Sequence, residues 1–97
     1  MARNIPYDWI CFGYGWKVVK ETEKAMLFIH KDTKEKVWIP LVSIIFMDYH
    51  FGYTKYGVLF VREWILKKKP FLRKYVVPPD RVHEEIKKLE NEWKEVS

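Results

Sequence analysis

The sequence predicts an α+β domain that is mainly β. The expected form is a small curved antiparallel sheet, or an SH3-like or OB-like barrel, of about five strands, followed by one C-terminal amphipathic helix. Three observations carry this. Short runs rich in aromatic and β-branched residues alternate in polarity and are separated by turn-type residues. Pro78-Pro79 then closes the β text. Beyond it the apolar residues recur at helical spacing. At 97 residues the chain has the length of one domain, with residues 1–77 forming the β module and 78–97 its helix.

The first strand is predicted from Trp9 to Lys20, where Gly13 and Gly15 mark a bulge or a close backbone approach. Glu21-Thr22-Glu23-Lys24 is a turn. Ala25–Lys31 follows, with Met26, Phe28 and His30 on one face and Leu27 and Ile29 on the other. Asp32-Thr33-Lys34 is a hairpin turn, and Glu35–Pro40 is the third strand, with Val37 and Ile39 opposite Trp38. Ile44–Tyr49 and Gly57–Glu63 complete the set, with a loop around Gly52 between them. Glu63–Lys69 predicts a short helical turn ended by Pro70. The helix is predicted over Asp80–Val96, capped by Asp80, with Val82, Ile86, Leu89, Trp93 and Val96 as one apolar stripe. Glu84-Lys88 and Glu90-Lys94 stand at i,i+4 on its wet side. The stripe is expected to pack back on the sheet; the alternative is a homodimer through Ile86, Leu89 and Trp93.

Three motifs set this chain beside others: Lys20-Glu21-Thr22-Glu23-Lys24-Ala25, Val37-Trp38-Ile39-Pro40 with Ser43-Ile44, and Val61-Arg62-Glu63-Trp64 followed by Lys67-Lys68-Lys69. As a set over residues 16 to 72 they resemble a group of short, uncharacterised phage and prokaryotic proteins. The resemblance implies a compact β module and supports the fold more than an activity. Leu41-Val42 departs from the pattern, in which one Lys usually precedes the Ser.

Composition narrows the function. The single cysteine, Cys11, excludes a disulfide framework and fits a reducing compartment, so a cytoplasmic location is expected. The longest charge-free stretch, Val37–Met47, is too short to span a bilayer, so no membrane role is expected. The absence of Gln, beside abundant Lys and Glu, points to a thermophilic source. His30, His50 and His83 stand on separate elements, and no nucleophile motif or phosphate-binding loop is present. Asp48 and His50 lie two apart and would share a face if both were in strand, but they lack a third group, and polar residues at a strand end are commonly solvated. Neither catalysis nor a cofactor or metal is expected.

The net charge of +5 is not evenly spread. Between Arg62 and Tyr75 six basic residues face one acid, a surplus equal to that of the whole chain. A lysine-rich run is by default a solvated surface, but Trp64, Phe71 and Tyr75 are interleaved with this one. A second aromatic run, with Tyr49, Phe51, Tyr53 and Tyr56 around Lys55, lies just upstream. Rings beside cations suit unpaired bases: the π face stacks without reading a base edge, and the cation neutralises phosphate. The expectation is a non-catalytic binder of single-stranded nucleic acid, DNA in preference to RNA. Tyr49, Phe51, Tyr53, Tyr56 and Phe71 would stack bases, and Lys55, Lys67, Lys68, Lys69, Arg73 and Lys74 would meet phosphates. The competing reading is a protein-interaction module or self-assembling viral accessory, because aromatic residues also anchor protein interfaces.

Overall fold

Alternating polarity makes strands, but the order in which they pair depends on where the longest one bends. A computed structural model, which describes residues 9–48 and 55–96, shows five strands: β1 (Trp9–Glu21), β2 (Ala25–His30), β3 (Lys36–Pro40), β4 (Ile44–Met47) and β5 (Gly57–Arg62). They form one antiparallel sheet in the order β3-β2-β1-β5-β4. The sheet is open: among the described residues β3 and β4 are its two edges and do not pair.

β1 belongs to both halves. Its first part pairs with β5 and its last part with β2, and Trp16 lies opposite both Gly57 and His30. The register shifts between Cys11 and Gly13, between Tyr14 and Trp16, and between Val18 and Lys20. Gly13 and Gly15 have φ of 84° and 118°, values that a side chain disfavours. The two glycines let β1 bulge and curl the sheet where the sequence predicted an interruption.

Curling creates two apolar layers. Inside the curve Trp16, Phe28, Ile39 and Leu59 pack with Ile65 and Leu72, which come from α1 (Glu63–Lys68) and from a 3-10 helix over Pro70–Tyr75. Phe46 joins this layer against Phe28, ring centroids 5.2 Å apart. On the other face Cys11, Val58 and Phe60 meet Leu89 of α2 (Val82–Val96). β5 therefore feeds both layers, and its buried run Gly57–Val61 reads as an unbroken apolar stretch. Burial pushes the Cys11 thiol up to about 11, so the group stays protonated.

α2 corrects some local expectations. Asp80 lies inside a 3-10 turn, Pro79–Arg81, and does not cap the helix at its boundary. Glu84 pairs with Arg81, and Lys88 pairs with Glu85 at 3.0 Å, so Glu84-Lys88 is not the pairing formed. Burial raises the Glu85 carboxyl, but the Tyr14 N–H, at 3.0 Å, and Lys88 outweigh it and hold the group low. Leu89 is fully buried within its own chain, and Val82 packs beside it. Of the three residues named for a homodimer contact, Leu89 lies under its own sheet, while Ile86 and Trp93 are half-buried. Among the described residues no helix is long and apolar enough to cross a membrane.

Candidate nucleic-acid interface

The basic run folds back over the inner face of the sheet and is pinned at its end. The Tyr75 ring is buried against Trp16 and His30, with centroids 4.9 and 4.8 Å away. The Tyr75 hydroxyl donates to the Glu35 carboxylate and lies 2.6 Å from the Thr33 hydroxyl. Lys74 makes a 2.9 Å salt bridge to the same carboxylate. The Tyr75 hydroxyl and the Lys74 ammonium together hold the Glu35 carboxyl below its ordinary range. Tyr75, interleaved with the cations in the sequence, is thus core, and Lys74, expected to meet phosphate, is paired with the β2–β3 turn.

The rest of the run faces outward. Lys67 and Lys68 are exposed and Lys69 is half-buried at the end of α1; Arg73 is exposed on the following 3-10 helix. Within the described structure, none of these four makes a salt bridge. The buried positions Ile65, Leu66 and Leu72 hold the backbone, so the intervening side chains must project away from the core. Phe71 is among them, 46% exposed.

Beside the lysines lies a groove of about 340 Å³, lined by Ala25, Trp38 and Pro40 from the sheet, by Trp64, Ile65 and Lys68 from α1, and by Lys69 just after it. Trp38 and Trp64 are each 40% exposed. The two half-exposed indoles give this groove an apolar, aromatic wall. Trp38 was missed as a site residue although the alternation in β3 already turned it away from Val37 and Ile39. Trp64 was legible as an aromatic among the cations.

The upstream aromatic run does not complete this surface in its described part. Tyr49, Phe51 and Tyr53 lie outside the described residues. Tyr56 packs edge-on against Tyr14, centroids 6.3 Å apart, on the face covered by α2. The backbone N–H groups of Lys55 and Tyr56 donate to the Glu92 carboxylate of α2, which also accepts from the Tyr14 hydroxyl. Burial and that carboxylate push the Tyr14 phenol well up. The Lys55 ammonium lies 5.6 Å from the Tyr56 ring centroid. Lys55 and Tyr56 are therefore placed with α2 at the start of β5, whereas Lys67–Lys69 follow the other end of that strand through α1.

His30 is a buried imidazole beside the run. Its ring packs edge-on against Trp16, centroids 4.9 Å apart, and Nδ1 accepts from the backbone N–H groups of Asp32 and Thr33. Burial holds its pKa below the ordinary 6.5. Just below pH 6.5 the unfolded chain binds a proton that the folded chain refuses, so stability should rise with pH across that window and plateau above it. Thermal unfolding at about pH 5.5 and about pH 7.5 checks this. His30→Asn keeps a short acceptor for the turn and should flatten the difference; an equal slope in the variant would assign the effect elsewhere. Among the described residues no group of three or more His, Cys, Asp or Glu is placed to hold a metal ion.

In comparisons with known proteins, the chain matches no family model, no curated protein and no solved structure.

Proposed function

We propose that the protein binds single-stranded nucleic acid without catalysing a reaction on it. The observation that carries this reading is the groove in which two half-exposed tryptophans stand beside two lysines. Indole faces stack any unpaired base, so little sequence selectivity is expected. Lys68 and Lys69 supply positive charge at the groove, and Lys67 and Arg73 are exposed on the same basic segment. A duplex hides its base faces, so single strands bind better. The reading moves the stacking role from Tyr56 to Trp38 and Trp64, and keeps the exposed Phe71 as a further ring.

The test is a titration of tryptophan fluorescence with an oligothymidine at several salt concentrations. Saturable quenching is expected, with log affinity falling linearly as log salt rises, by about 0.7 per phosphate contacted. Lys68→Ala should lower that slope by roughly 0.7 and weaken all sequences alike. No saturable binding at low salt would end the proposal. Binding to a protein surface through the same tryptophans would be far less sensitive to salt.

A further inference from the structure

α2 packs on the outer face of the sheet against β1 and β5, and Ile45 and Met47 of β4 join the same apolar layer. In the other half, where the end of β1 meets β2 and β3, no described residue of β2 or β3 belongs to that layer. The pairing register says what stands there. Lys17 lies opposite Ile29, and Ile29 opposite Lys36. Lys20 lies opposite Leu27, and Leu27 opposite Trp38. Direct partners in an antiparallel pair share a face, so these are two adjacent cross-strand rows. The inward residues of the same strands, Phe28, Val37 and Ile39, are buried on the opposite side.

We propose that these two rows form a cationic platform that takes the backbone of the same nucleic-acid strand as it leaves the groove. Trp38 belongs to both surfaces: it ends the second row and lines the groove with Trp64, Lys68 and Lys69. Lys17, Lys20 and Lys36 are exposed, and none of them makes a salt bridge to a described residue. Neither row contains an acid. The nearest strand carboxylates point elsewhere: Glu21 lies opposite Met26, on the inner-facing set, and Glu35 is held by Tyr75 and Lys74. Leu27 and Ile29 are half-buried between the lysines. The rows are roughly 7 Å apart along the strands, and Lys17 and Lys36 are roughly 10 Å apart across them. That spacing presents the cations as a patch, to which a polyanion is the complementary occupant.

The inference rests on the groove reading and extends its footprint. The experiment compares oligothymidines of about 4 and about 16 nucleotides, the short one matched to the groove and the long one able to reach the platform. For the long oligonucleotide, Lys17→Ala/Lys20→Ala/Lys36→Ala should reduce the salt slope by about 2, while the short one should bind the variant as it binds the parent. Replacing the same three lysines by Arg should keep the parental slope. Lys87→Ala, on α2, serves as the control for net charge and should leave the slope unchanged. An unaltered slope in the triple Ala variant, or an equal loss on both lengths, would overturn the platform and leave the groove reading standing. Failure of the parent to bind either length would overturn both.

Discussion

Trp38→Ala and Trp64→Ala should each weaken oligothymidine binding by roughly 5-fold to 150-fold, the range that loss of about 1 to 3 kcal/mol of base stacking implies. The two side chains come from different elements, β3 and α1, and meet only at the groove. Both are 40% exposed, so truncation also removes some packed surface, and melting temperatures measured beside the affinities separate lost binding from lost stability. That separation makes the prediction sharp. The affected quantity is affinity, read by titration with a fluorescently labelled oligonucleotide, because each substitution also removes an intrinsic fluorophore. Two losses that add would mean two separately stacked bases; a combined loss smaller than the sum would mean one shared base. Phe substitution at either site keeps a π face and should recover most of the affinity. An unchanged affinity in both Ala variants would remove the groove as the binding surface.

Trp16→Ala should destabilise the fold by about 3 to 5 kcal/mol, a large share of the stability of a domain this size. Trp16 is fully buried at the one position of β1 that pairs with both β2 and β5. Its ring touches three others, Phe12, His30 and Tyr75, and its indole N–H donates to the Phe12 carbonyl at 3.1 Å. Removing it leaves a cavity at the centre of the inner layer, and the curled strand that surrounds the site resists collapse. At about 4 to 8 °C per kcal/mol, the melting temperature should fall by more than about 12 °C. Trp16→Phe fills part of the space but leaves the Phe12 carbonyl without its donor, so a smaller fall is expected. Circular dichroism during thermal unfolding measures both. A shift of only a few degrees for Trp16→Ala would show that the inner layer does not depend on this ring. The consequence for the site is indirect: Tyr75 would lose one wall of its pocket, and with it the anchor of the 3-10 helix that carries Arg73.

Most of the fold was legible. Alternation in Ala25–His30 and Lys36–Pro40 identified both the strands and their inward faces, because one side of an antiparallel pair must shed water and the other need not. Gly13 and Gly15 announced the irregularity in β1. The stripe Val82, Ile86 and Leu89 announced a helix that needs a partner, and its modest length favoured the sheet over a second copy. Less legible were the connections. The 3-10 helices at Leu41–Ser43 and Pro70–Tyr75 have weak local signatures, and tertiary packing of Leu72 and Tyr75 decides the second. Openness of the sheet was equally hidden: the same five strands could have closed, since closure depends on whether the two edges meet, not on any strand's own pattern.

The candidate site divides along the same line. The surplus of cations in Arg62–Tyr75 and the outward position of Trp38 are properties of the chain itself, set by side-chain identity and by the two-residue period of a strand. Which cations remain available is not. Lys74 and Lys69 are near neighbours in sequence, yet one is bound to Glu35 from a distant turn and the other lines a groove with Trp38. Nor could the chain alone say that Tyr56 would be gathered to α2 by Glu92 while Trp64 would meet Trp38. Sequence assigned the chemistry each residue carries; the curl of β1 and the return of α1 over the sheet chose its neighbours, because contacts between distant segments depend on how the whole chain buries its apolar surface and not on any local pattern.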